Sequence, residues 1–144
     1  MSQSIAAIRD CDIPVAFWNV PYDGTRFAVR NIGAGANCQA FAYAVLRHFG
    51  RAISDFRSSE LWNDTSETET VGEFAPLDLL LFNGSADPYG AHVGVYLGEG
   101  RVIHLSQRVG KPAVWPFERF ARETGYEVFI GAKRVRLSAA TGSS

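Results

Sequence analysis

The stretch from Gly90 to Ser106, GAHVGVYLGEGRVIHLS, narrows most sharply what this chain can fold into. Val93, Val95 and Leu97 alternate with His92, Gly94 and Tyr96, the two-residue period of a strand with one buried face. GEG at 98–100 then offers a turn, and RVIHLS at 101–106 supplies a second strand. The loop length decides which face His104 takes. A two-residue loop at Gly98 and Glu99 pairs Leu97 with Gly100 and puts the imidazoles of His92 and His104 on opposite faces. A three-residue loop, a type I turn closed by Gly100 in the left-handed region, pairs Leu97 with Arg101 and sets His104 opposite Gly94, diagonal to His92. GEG suits the second form. Both rings then share a face, about 7–8 Å apart at the backbone, and Gly94 has no side chain to separate them.

The remaining patterns frame this hairpin. NIGAGANCQAFAYAVLRHFG (31–50) passes from a small-residue loop into a helix, with Asn37 as N-cap, Phe41, Val45, Leu46 and Phe49 at helical spacing, and Gly50 as the stop. Further strands are expected at LDLLLF (77–82) and YEVFIGAKRVRL (126–137), and helices near Ile5 to Arg9, Ser59 to Asn63 and over PFERFARET (116–124). Residues 1–24 read as an irregular lead-in, SDFRSSELWNDTSETETVGEFAP (54–76) as a polar rim, and SAATGSS (138–144) as a disordered tail. A helix followed by a mostly antiparallel sheet is an α+β pattern, here a single domain over 1–137.

Composition removes several function classes. The 14 Lys plus Arg against 15 Asp plus Glu give a net charge of −1, with no field to select nucleic acid or an anionic membrane. No apolar run reaches membrane-spanning length, and MSQSIAAIRDCDIPVAF lacks the basic start and apolar run of an export signal, so a cytoplasmic start is expected. The two cysteines, Cys11 and Cys38, form neither a disulfide framework nor a zinc-like spacing, and no further ligand motif joins the histidines, so no metal site is expected. The sequence carries no signal for an oligomeric state.

Two histidines on one face fit a structural pair or a nucleophilic site, in which one imidazole takes a proton from a thiol and a second group orients it. Cys38 fits the nucleophile. It opens the helix, where unpaired N–H groups and the helix dipole favour a thiolate and lower its pKa from about 8.5, and its own N–H can help to hold an oxyanion. Cys38 also lies in line with the apolar stripe, so an inert core cysteine fits the same pattern. Cys11 reads as an incidental thiol and His48 as a solvated helix-end residue. Trp18, Trp62 and Trp115 receive no role, and Arg57 and Asp78 read as members of surface ion pairs.

A cysteine opening a helix, a Pro/Asp turn into an apolar strand and then HVGVYLGEGRVIH together resemble the NlpC-type cysteine peptidases, cell-wall endopeptidases with a reduced papain-like fold. The resemblance runs from Pro21 to His104 and includes VPYDG, with Pro21, Tyr22 and Gly24, the FRSSELW segment, and FAPLDLLLF with Leu77 in a glycine's place. It implies Cys38 as nucleophile, His92 as general base and His104 as the residue orienting it, with no metal or organic cofactor. It also implies Tyr22, beside the Cys38 N–H, at the oxyanion. Asn37-Cys38-Gln39-Ala40 stands where the family usually reads Asp-Cys-Ser-Gly, which makes Asn37 and Gln39 the residues that reshape the substrate pocket. The implied activity is hydrolysis of an amide, in a peptidoglycan stem peptide or another peptide, with delivery by a phage or a secretion machine as the route to the wall. GEGRVIHLS is also similar to the histidine box of lecithin:retinol acyltransferase-type proteins, where the box precedes the cysteine, so a thiol acyltransferase or lipid-acting enzyme is the rival activity. An inactive binding module on the same fold is the other.

Overall fold

The computed structural model describes residues 6–137, and the expected tail at 138–144 lies outside them. Three helices, α1 (Cys38–His48), α2 (Ser58–Asn63) and α3 (Phe117–Phe120), accompany six strands. The strands are β1 (Thr68–Val71), β2 (Leu79–Asn83), β3 (His92–Gly98), β4 (Arg101–Leu105), β5 (Pro112–Pro116) and β6 (Val128–Val135). They form one antiparallel sheet in the order β1-β6-β2-β3-β4-β5, so the expected hairpin is central.

The two faces of that sheet are both covered. Phe41, Ala44 and Val45 of α1 are buried in one cluster with Val93, Val95, Leu97, Ile103 and Leu105, which is the valine face read from the alternation. Leu80, Phe82, Val102, Trp115, Phe120 and Ala132 make a second cluster, with Phe74, Tyr96, Phe117 and Tyr126 packed against it. His92 and His104 point to this second face, and both are buried.

The hairpin keeps the expected register by a different turn. Val95 opposes Ile103 and Tyr96 opposes Val102, a register that continues to His104 opposite Gly94. Gly98, however, opposes Arg101, so the loop holds two residues, Glu99 and Gly100, and the register shifts between Tyr96 and Gly98. Both loop residues have positive φ, 56° and 77°, as a type I′ turn requires. The bulge thus restores the residue that the shorter loop removes. The Tyr96 hydroxyl accepts the Gly100 N–H at 2.9 Å, closing the turn. The N-terminal segment holds it from outside: the Ile8 N–H donates to the Leu97 carbonyl at 2.7 Å, and Arg101 pairs with Asp10 at 3.0 Å. A Cβ on Gly98 would lie 2.8 Å from that of Ala7.

Other expectations need correction. Residues 6–9 are not helical, and the lead-in instead forms 3-10 turns at Asp10–Asp12 and Val15–Asn19. The polar rim contains β1, and β5 fills the stretch between the hairpin and α3. Proline at both ends of β5 and the polar TETV of β1 hide the strand period. The helix expected over 116–124 stops at Phe120, and the chain turns through Gly125, at φ 94°, into β6. The strand expected from Leu77 starts at Leu79, because Leu77 adopts φ 79°, a left-handed conformation outside strand geometry.

Asp78 follows that turn and is not on the surface. It is fully buried, accepts the Ala75 N–H at 2.8 Å, and takes a bidentate pair of bonds from Arg134 at 2.8 and 2.9 Å. Arg57 is elsewhere, its guanidinium 4.4 Å above the Phe27 ring. Removing Asp78 takes away the acceptor of three hydrogen bonds, two of them charge-assisted, and leaves the Ala75 N–H and the half-buried Arg134 without it. Asp78→Ala is therefore expected to lower stability by about 3 kcal/mol, read from urea midpoints, and an unchanged midpoint would show that the pair contributes nothing.

Candidate active site

Asn37 opens α1 as the sequence pattern requires. Its side-chain Oδ1 accepts the Ala40 N–H at 2.8 Å, which places Cys38 in the first helical turn. A cavity of about 410 Å³ opens over this helix start. Tyr22, Asn37, Cys38 and Gln39 all line it, so four of the six residues singled out from sequence share one wall system. Arg57, Ser58, Tyr89 and Ala91 are among its other lining residues. Ser58, buried at the start of α2, accepts the Ala91 N–H at 3.2 Å and ties that wall to the start of β3.

The other two, His92 and His104, stand behind Ala91. Nε2 of His92 and Nδ1 of His104 lie 2.9 Å apart in a buried hydrogen bond, with ring centroids 5.0 Å apart at 83°. This contact needs Gly94, because a Cβ there would meet Val102 Cγ1 at 2.7 Å and crowd His104 Cβ at 3.4 Å. With Nε2 committed, His92 keeps Nδ1 as its free nitrogen.

Cys38 meets the hairpin through the backbone. The backbone N–H groups of Val93, Gln39 and Cys38 itself favour a charged sulfur. Among the described residues no hydrogen bond joins the thiol to His92. A thiolate at Cys38 opposes ionisation of both Tyr22 and Tyr126, and Tyr126 lies flat on His92 with centroids 4.3 Å apart, so sulfur, phenols and imidazoles form one neighbourhood.

The electrostatics overturn one expectation. Loss of solvent around the half-buried Cys38 raises its pKa above the ordinary thiol value, against the pull of the three N–H groups and counter to the expected lowering. The helix start is present, but the desolvation of a charged sulfur outweighs it. Burial likewise pushes His92 down to about 3, with Arg108 adding to the effect. It pushes His104 down to about 2, helped by His92 and Arg119. Both rings are neutral at pH 7. Tyr22 is raised by burial and keeps its hydroxyl proton as a donor.

Sequence reasoning missed Trp115, Phe120 and Tyr126, which pack against the histidine pair. Trp115 was visible only as one of three tryptophans, and the others carried no signal. Cys11 is exposed and separate from the site, and His48 is exposed at the end of α1, as expected.

Known proteins resemble the chain in sequence pattern and fold. Residues 22–115 match the NlpC/P60 family profile. An NlpC/P60 family protein from Bacillus cereus superposes with a TM-score of 0.61 and 23% identity, over 83% of this chain and 36% of that one. The chain thus spans about a third of that protein's length. The NlpC/p60 domain of the peptidoglycan hydrolase SagA superposes with a TM-score of 0.52 and 26% identity, over 78% of this chain and 90% of that one. No curated protein matches the chain.

Neutral, buried imidazoles make stability depend on pH with a definite sign. The unfolded chain binds protons below the ordinary value of 6.5, whereas the folded histidines resist until about 3 or lower. Stability is therefore complete above 6.5 and falls with pH below it, by up to about 1.4 kcal/mol per pH unit for each ring. Melting temperature is expected to drop between pH 6.5 and 5, above the range of carboxylate titration, and His104→Gln is expected to flatten the drop. A melting temperature constant from pH 7 to 5 would contradict the buried neutral pair. Alkylation of Cys38 in a Cys11→Ser background is expected to rise only above the ordinary thiol range, and a rise near pH 6 would show a resting thiolate.

Proposed function

The chain belongs to the NlpC/P60 family, and from that premise we propose that it is a cysteine peptidase or amidase cleaving an amide bond in a peptidoglycan stem peptide. Members of the family are typically cysteine peptidases or amidases. The observation that carries the reading is Cys38 on the wall of a cavity, at a helix start, beside a hairpin whose two strands each bring one member of a hydrogen-bonded histidine pair. SagA, similar over most of this chain, is a peptidoglycan hydrolase, which favours the same substrate class here.

The chemistry starts from a neutral thiol and a neutral imidazole. Nδ1 of His92 takes the thiol proton, and His104 holds the ring through Nε2 while positive charge develops. The thiol–imidazole contact closes when a substrate or another electrophile enters the cavity, since catalytic hydrogen bonds are often long in the empty site. The sulfur attacks the amide carbonyl, and the electron pair moves to its oxygen. The Cys38 N–H and the Tyr22 hydroxyl are the donors on hand for that oxyanion. Collapse breaks the C–N bond as His92 returns its proton to the leaving amine. Water then attacks the thioester with His92 again as base, releasing the acid and the thiol.

The cavity constrains the substrate. Asn37 has committed its oxygen to the Ala40 N–H, so it offers a substrate its amide NH₂. The cavity wall includes no carboxylate, and Arg57 is its one charged side chain. Tyr89, 77% exposed at the rim, gives a flat surface for the acyl or leaving side.

Purified protein incubated with peptidoglycan fragments, with products read by mass spectrometry, tests the proposal. New amine and acid termini are expected, and Cys38→Ala or His92→Ala is expected to lower the rate by at least about a thousandfold. Tyr22→Phe is expected to lower kcat by about tenfold to a hundredfold with little change in KM, the mark of a donor used in the transition state. Products that persist with Cys38→Ala would overturn the thiol mechanism. Acyl transfer to an added amine in place of water would make the protein an acyltransferase.

A further inference from the structure

His104 carries the one buried side-chain polar atom among the described residues without a hydrogen-bond partner, its Nε2. The ring is 1% exposed, so no open solvent serves that nitrogen. Trp115 and Phe120 stand against it, with centroids 4.2 and 4.8 Å away and planes at 68° and 61°. Pairing explains the first neighbour: Trp115 opposes Val102 across β4 and β5, which makes it diagonal to His104 on the same face. Phe120 comes from α3 and stacks on Phe82 at 4.1 Å, and Phe82 opposes His92.

We propose that Trp115 and Phe120 are positioning residues that fix the tautomer of the His92–His104 pair. What the partnerless nitrogen can carry decides the tautomer. An N–H in an aromatic enclosure gains a weak bond to a ring face. A bare lone pair there meets π electrons and gains nothing. The enclosure therefore keeps the proton on Nε2 of His104. Nδ1 of His104 is then a lone pair and accepts from Nε2–H of His92. This leaves Nδ1 of His92 bare, the state a base needs before it can take a thiol proton. With the opposite tautomer, Nδ1 of His92 is already protonated and the same geometry is inert.

A strap of ion pairs presses the rings into place. Arg119 lies 4.1 Å above Trp115, and Arg108 lies 4.8 Å above Tyr126, which stacks on His92. Glu123 binds both guanidinium groups, Arg108 at 3.0 Å and Arg119 at 3.1 Å. Phe120, Glu123 and Tyr126 all lie beyond residue 115, where the family match ends. The two cations also oppose a resting imidazolium, which agrees with the low pKa of each ring.

The proposal rests on the reading of His92 as the base, yet its test does not require a substrate. The full-length protein labelled with nitrogen-15 histidine would be examined by long-range proton–nitrogen correlation spectra from pH 8 to 5.5, with exposed His48 as internal reference. His92 and His104 are both expected with the proton on Nε2 across that range. A wild-type His104 protonated on Nδ1 would overturn the proposal without any variant. Trp115→Leu, which removes the π surface, is expected to give a tautomer mixture and to slow Cys38 alkylation about tenfold, measured in the Cys11→Ser background. Trp115→Phe is expected to restore both. Glu123→Gln, at the surface, is expected to give a smaller share of the second tautomer should Trp115→Leu not fold. A folded Trp115→Leu variant with the wild-type tautomer and rate would also overturn it. The expected tautomers together with an alkylation rate insensitive to His92→Ala would support the clamp while removing His92 as base.

Discussion

The bulge at Leu97 sets the register between β3 and β4, and with it the face on which His104 lies. A tight two-residue loop alone would turn His104 toward α1 and leave His92 beside an apolar sheet. The bulge adds the one residue that reverses this. Gly94 does the second part of the work by leaving the space in which the two rings meet. The buried hydrogen bond, the commitment of Nε2 on His92 and the freedom of its Nδ1 all depend on that register.

The hairpin sits in a sheet that has to be dry on both sides. On one side α1 covers the valines and brings Cys38 over the start of β3. On the other, aromatic residues from β5, α3 and the segment before β6 cover the imidazoles. Asp78 anchors the opposite side of the sheet by gripping Arg134 of β6 just after the left-handed Leu77. The result is a thiol and two imidazoles that are all neutral at rest. On the proposed mechanism, a charged pair forms only when proton transfer creates thiolate and imidazolium together, close enough to stabilise one another in a low-dielectric setting.

Much of this was legible in the residues, for stated physical reasons. The period of two in β3, the N-cap of Asn37 and the helical spacing of Phe41, Val45 and Leu46 are local signals that tertiary structure did not override. The shared face of His92 and His104 was expected from a three-residue loop; the loop holds two residues, and the bulge at Leu97, which has no local signal, supplies the residue that keeps the face. Burial was the illegible quantity. A thiol at a helix start reads as acidic from sequence, because the dipole is a local effect, whereas the desolvation that outweighs it comes from distant segments packed around it. The same holds for Asp78, which reads as a surface carboxylate until Arg134, far along the chain, covers it. Trp115 and Phe120 belong to a short strand between prolines and to a helix of one turn, elements whose pattern is too brief to announce a face.

The contacts of residues 7–10 with the hairpin tip bear on where the working unit begins. The family match starts at Tyr22, but the Ile8 N–H caps the end of β3 at Leu97, Ala7 packs on Gly98, and Asp10 pairs with Arg101. These residues act as an intramolecular clasp, present at the high effective concentration that chain connectivity gives. A chain begun at Tyr22, where the match starts, would retain every group assigned to the chemistry. It would still lose the outer edge of the register that aims them, so the functional boundary of this domain lies upstream of its recognisable one.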